Sequence, residues 1–153
     1  MVQARNNLWV ALRGGQRLFN YVGHGGLDRL ATEGLLLASD VPNLSNGPRL
    51  PVMTALTCLI TESAYPTFSS LGEELIMQRD GGVAALYGPT WLSFNAAAGE
   101  LGDHLWPQLA PRTGERLGDR LLRGMQSYAA AGGDRQLLKY YALLGDPALK
   151  IKD

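Results

Sequence analysis

Two runs of almost uninterrupted apolar residues, Pro51 to Thr57 and Val83 to Tyr87, punctuate the chain, and each is bounded by turn-forming or reactive residues. A short apolar run without a polar face suits a strand buried on both sides, as in a parallel sheet. A third segment, Arg17 to Val22, predicts a strand that runs into a glycine-rich turn. Between and around these segments the spacing becomes helical. Val2 to Leu12 predicts a short helix broken by Gly14-Gly15, and Leu71 to Gln78 a helix started by Ser70 as N-cap with Glu73 and Glu74 in its first turn. Asn95 to Leu109 and Gly114 to Ala131 carry longer helical spacing with few breakers. Leu27 to Gly47 is a mixed connecting region with a helix start at Ser39-Asp40 and a turn at Asn46-Gly47-Pro48. In the tail, a Gly145-Asp146-Pro147 turn predicts a last short strand after it. The order of strands and helices is that of an α/β domain with a mostly parallel sheet.

A chain of 153 residues, 46% of them hydrophobic, has enough apolar material for one domain with a core. Its 14 basic and 14 acidic residues balance and form no run of one sign, which argues against nucleic acid or an anionic lipid surface as a partner. No apolar stretch approaches the roughly 20 residues needed to span a bilayer, and no targeting segment is visible.

Within this frame the candidate chemistry sits at two strand ends. Asn20-Tyr21-Val22-Gly23-His24-Gly25-Gly26 puts a histidine among glycines, and Leu50 to Thr57 runs directly into Cys58, the chain's only cysteine. Ligands of open α/β sheets bind outside the carboxyl ends of the strands, where both residues are expected. A histidine within reach of a cysteine generates the thiolate that attacks a carbonyl and then protonates the leaving amine. The flanking glycines allow close approach of a substrate backbone, so the amides of Gly25 and Cys58 are candidate oxyanion donors. The plainer reading of each residue is a buried, inert thiol and a tight corner. With only His24 and His104 and no second cysteine, a metal site has little support. Serine-hydrolase, phosphate-loop and dinucleotide fingerprints are missing from the sequence.

Five segments, in this order, resemble the gingipain-type cysteine peptidases of family C25, in the caspase-like clan. They are Asn20 to Gly26, Leu50 to Cys58, Ser70-Leu71-Gly72-Glu73, Gly81 to Gly88, and Leu143-Leu144-Gly145-Asp146-Pro147-Ala148-Leu149. The resemblance implies a caspase-like three-layer sandwich, α/β with a mostly parallel sheet and helices on both faces, of which residues 1–153 are one domain's C-terminal portion. It implies a cysteine endopeptidase that works through an acyl-thioester, with His24 and Cys58 as the dyad, the Gly25 and Cys58 amides as oxyanion donors, and no required cofactor; calcium stays unassigned. Glu73 and Asp146 fall at positions read as structural. Trp91, after the Gly88-Pro89-Thr90 turn, stands where the family's pocket-lining residues lie, with Thr90 beside it; a partly buried loop aromatic is the competing reading of Trp91.

The family's catalytic domain begins well before its histidine strand. The carboxylate that orients the histidine and the determinants of basic P1 specificity are therefore not carried over to this chain. By resemblance the protein is secreted or at a bacterial cell surface, its partners being a peptide or protein substrate and, over the open sheet, an N-terminal half, a second chain or another copy. Two alternatives stand beside the endopeptidase: a catalytically inactive caspase-like scaffold, and a narrow-specificity, self-processing caspase-like protease.

Overall fold

The computed structural model describes residues 2–110 and 114–151. Helix α1 (Val2–Gly14) leads into strand β1 (Leu18–Val22). Three two-residue strands, β2 (Gly25–Gly26), β3 (Arg29–Leu30) and β4 (Leu36–Leu37), then form a small antiparallel sheet, followed by a 3-10 helix, Ala38–Asn43. The core strands β5 (Val52–Leu56) and β6 (Ala85–Pro89) flank α2 (Leu71–Met77) in sequence. Helices α3 (Asn95–Leu109), α4 (Leu117–Ala130) and α5 (Arg135–Leu138) precede the last strand, β7 (Tyr141–Gly145).

The main sheet has the order β1-β5-β6-β7, with the first three strands parallel and β7 antiparallel to β6. Alternation of side chains across the strands sorts the core into two halves. Val52, Leu56, Ala85 and Tyr87 face one cluster with Leu101, Leu105 and Leu121 of α3 and α4. Met53, Ala55 and Leu86 face the other, with Leu12 of α1, Leu71 and Leu75 of α2, and Leu30 and Leu36 of the small sheet. All five residues of β5 are buried, which is why that run carries no polar alternation. The sheet therefore has helices on both faces.

Polar side chains pin the connections. Ser70 accepts a hydrogen bond from the Glu73 amide while Glu73 accepts one from the Ser70 amide, a reciprocal cap that starts α2. Asn46, buried, donates to the Gly82 carbonyl and accepts from the Gly82 amide, tying the turn before β5 to the turn before β6. Arg120 of α4, fully buried, donates to the carbonyls of Leu109 and Ala110 at the end of α3, where a helix leaves its last acceptors without partners of its own. Asp146 accepts from the Ala148 amide, so it holds a turn, as its position suggested.

Two expectations are corrected. The last strand precedes the Gly-Asp-Pro turn, and among the described residues beyond that turn only Lys150 makes a bridge, to Arg116. Tyr141 to Gly145 pair with Ala85 to Pro89, and this ladder to a buried central strand fixes the strand where local turn chemistry did not. The stretch from Leu27 to Gly47 is not a plain connection, since it contains β3 and β4, which pair with β2 in a small sheet whose strands are too short to show a period.

Candidate active site

The parallel register of β1 and β5 ends at Val22 opposite Leu56, and the Gly23 amide donates one further bond to the Leu56 carbonyl at 3.3 Å. His24 and Cys58 therefore stand at equal offsets, two residues beyond the last pair, on adjacent strands about 4.8 Å apart. This is the carboxyl edge of the sheet. His24 is exposed and Cys58 half-buried. Among the described residues no hydrogen bond joins the His24 imidazole to the Cys58 sulfur.

The backbone around His24 is held from three directions. Its carbonyl accepts from the Tyr21 hydroxyl at 2.6 Å and from the Ala31 amide at 2.8 Å. Gly23 has φ of +151°, which L side chains rarely adopt. Gly25 is required for a different reason, which is space: a β-carbon there would meet Thr57 Oγ1 at less than 3.0 Å and the Arg29 carbonyl at 3.1 Å. The hairpin that carries His24 thus lies directly on the residue before Cys58. In an antiparallel ladder, bonded and non-bonded pairs alternate. With Ala31 bonded to His24, the Gly25–Leu30 pair is a non-bonded one, so the Gly25 amide faces away from β3.

Past Cys58 the chain turns sharply. Leu59 has φ of 56°, a left-handed conformation costly for a residue with a β-carbon. Its amide donates to the Trp91 carbonyl at 3.2 Å, and the Thr61 amide to the Pro89 carbonyl at 3.1 Å, so the loop after Cys58 is sewn to the end of β6. Thr90 donates from both its amide and its hydroxyl to the Tyr140 carbonyl. Trp91, whose carbonyl takes the Leu59 amide, has 56% of its surface exposed and so is only partly buried on its loop.

Sequence reasoning missed Ser93. Its amide donates to the Cys58 sulfur at 3.5 Å and its carbonyl lies 3.5 Å from the same sulfur as acceptor, while its hydroxyl is 3.0 Å from that of Tyr141. Burial first, and to a lesser degree the nearby Cys58 charge, push the Tyr141 hydroxyl up to about 12 against the lowering effect of Ser93. Leu92 and Phe94 are also exposed, Phe94 at 82%. The signal for this apolar ridge was in the sequence, because Trp91-Leu92-Ser93-Phe94 follows a turn where solvated residues are expected. A concavity of about 680 Å³, lined by Asp28, Arg29, Phe68 and Glu74 among others, includes neither His24 nor Cys58. The candidate chemistry sits on an open edge, not at the bottom of that concavity.

Comparison with known proteins sets this geometry in context. The family model for peptidase family C25 matches residues 1–152. No curated protein shows a significant sequence match. Among solved structures, the complex of Porphyromonas gingivalis RgpB pro- and mature domains superposes with a TM-score of 0.85 at 22% identity, over 97% of this chain and 37% of that one. The Arg-specific cysteine proteinase gingipain R (RgpB) gives a TM-score of 0.83 at 23% identity, over 97% of this chain and 36% of that one. A structure described only as a protease gives 0.72 at 15% identity, over 94% and 37%. The chain thus spans little more than a third of each of these chains, and at such identities the likeness concerns the fold.

Proposed function

The chain belongs to peptidase family C25, and on that premise we propose that it carries the nucleophile and the acid-base residue of a cysteine endopeptidase. The observation that carries the reading is the equal offset of His24 and Cys58 beyond the Val22–Leu56 pair at the carboxyl edge of a parallel sheet.

In this reading His24 takes the Cys58 proton and the thiolate attacks the scissile carbonyl carbon. The carbonyl oxygen becomes an oxyanion, which accepts hydrogen bonds from the amides of Gly25 and Cys58. Collapse of the tetrahedral intermediate breaks the C–N bond, and His24 gives its proton to the departing amine. Water then enters with His24 as base, and the acyl-thioester is hydrolysed to release the acid and restore the thiol. Trp91 and Thr90, on the β6 side of Cys58, form one wall of the substrate site. Substrates are peptides or proteins, and the steps require no cofactor.

The reading predicts a thiol coupled to an imidazole. Alkylation of Cys58 by iodoacetamide, followed by intact mass as a function of pH, is compared between the native chain and His24→Ala. Reactivity that persists well below about 8.5, the pKa of a free thiol, and collapses in the variant supports the dyad. Identical slow profiles in both proteins refute it and favour a scaffold that keeps the fold without the chemistry.

A further inference from the structure

We infer that strand β7 and the first turn of α3 set the reactivity of Cys58, with Tyr141 acting through Ser93 as a positioning residue that holds the Ser93 amide on the Cys58 sulfur. The inference rests on the peptidase reading only for its consequence in catalysis; the effect on the thiol is independent of His24.

Three observations converge. First, Cys58 Sγ has Ser93 N as donor and Ser93 O as acceptor, both at 3.5 Å, so one residue serves the thiol and the thiolate alike. A donor to the charged form favours that form. Second, Ser93 lies immediately before Phe94, the N-cap of the 15-residue helix α3, whose first turn contains no acidic residue. The amino end of that helix thus begins one residue after the group that touches the sulfur and carries no compensating carboxylate in its first turn, and a positive helix end near a thiol favours the thiolate. Third, the Ser93 backbone is held by its own side chain. Ser93 and Tyr141, each 8% exposed, bond through their hydroxyls at 3.0 Å, and the Tyr141 ring packs against Tyr87 with centroids 5.4 Å apart. Tyr141 belongs to β7, so the antiparallel strand reaches the nucleophile in two steps.

The elements that meet at the sulfur carry titratable groups besides the thiol. His24 stands at the end of β1, Glu62 on the loop after Cys58, Tyr87 on β6 and Tyr141 on β7. Tyr141 stays protonated throughout the range in which a thiol titrates, so its hydroxyl bond persists there.

The experiment measures the pH profile of Cys58 alkylation by iodoacetamide in the native chain, Tyr141→Phe, Ser93→Ala, the double variant, Ala96→Glu and His24→Ala, with near-UV circular dichroism to confirm folding. Losing one hydrogen bond that positions the amide should move the Tyr141→Phe profile up by about half to one pH unit, that is, roughly three- to tenfold slower alkylation near neutral pH. Ser93→Ala should match it, and the double variant should add nothing. Ala96 is exposed in the first turn of α3, so Ala96→Glu should fold and move the profile up by a few tenths of a unit, an effect that fades with salt. A Tyr141→Phe profile that overlays the native one, with only a lower melting temperature, would overturn the positioning role. An Ala96→Glu profile that overlays the native one would overturn the helix contribution. His24→Ala separates the two ideas: a collapse there with no shift in the Tyr141 variant retains the dyad and removes this inference, and the reverse pattern retains this inference and removes the dyad.

Discussion

Replacing Gly25 by alanine tests whether the hairpin that carries His24 must lie against the strand that carries Cys58. The added β-carbon falls within 3.0 Å of Thr57 Oγ1, 3.1 Å from the Arg29 carbonyl and 3.3 Å from Thr57 Cβ. Carbon atoms pack best at about 3.5–4.0 Å, so relief needs a movement of at least half an ångström, mostly away from Thr57. Thr57, directly after the central strand, is 1% exposed and packed on all sides, so the hairpin is the part that moves, and it takes His24 with it. Overpacking of this kind costs about 1–3 kcal/mol of stability, and a displacement of about 1 Å at a reacting group costs on the order of 100-fold in rate. The assay pairs thermal unfolding with Cys58 alkylation near neutral pH for Gly25→Ala, Thr57→Ala and the double variant. Thr57→Ala removes the offending oxygen, which is buried with no hydrogen-bond partner among the described residues, so by itself it should change stability by no more than about 1 kcal/mol. The double variant should regain most of the reactivity lost in Gly25→Ala. Equal losses in Gly25→Ala and in the double variant would refute the steric argument and return the role of Gly25 to its backbone.

Other consequences are as direct. Arg120→Ala removes the donor to Leu109 and Ala110 and opens a cavity in the α3–α4 interface, and should cost about 2–5 kcal/mol in urea unfolding. Ser70→Ala breaks the reciprocal cap of α2 and should cost about 1 kcal/mol, read as a lower melting temperature. Tyr141 supplies a pH signature. Its folded pKa of about 12 lies above the ordinary 10.0, so its contribution is complete below pH 10 and is lost as pH rises toward 12. Tyr87, raised also by burial, adds to the same alkaline loss. Stability measured by denaturant titration should fall across that window, and Tyr141→Phe should make the fall shallower.

The parts of the fold that announce themselves in sequence are those whose residues answer to a single environment. β5 and β6 are buried on both faces, so the runs Pro51 to Thr57 and Val83 to Tyr87 find both strands without help from neighbours, though β6 lies two residues later than its run and continues through Gly88 and Pro89, which the sequence marks as a turn. Ser70 and Glu73 are legible because a cap is a local device three residues wide. β7 is different. Its position depends on pairing Leu86 with Leu144, 58 residues apart, and the Gly145 turn next to it points equally well to a strand on either side. Ser93 escapes for the same reason, since its meaning lies in Cys58 and Tyr141, 35 and 48 residues away. His24 and Cys58 stand out because each ends an apolar run with a side chain that core packing does not need.

The segment from Ser63 to Ser69 is exposed throughout, and it is closed at its base by the Gly72 amide on the Ile60 carbonyl at 2.9 Å. Everything before it includes β1, the small sheet, β5, His24 and Cys58; everything after it includes β6, β7, Trp91, Ser93 and Tyr141. A single cut there would yield two polypeptides whose shared boundary is the β5–β6 ladder and both halves of the core. Separately expressed pieces of this chain are thus natural candidates for fragment complementation, one bringing the histidine and the thiol and the other the strand, helix and aromatic residues that surround the sulfur.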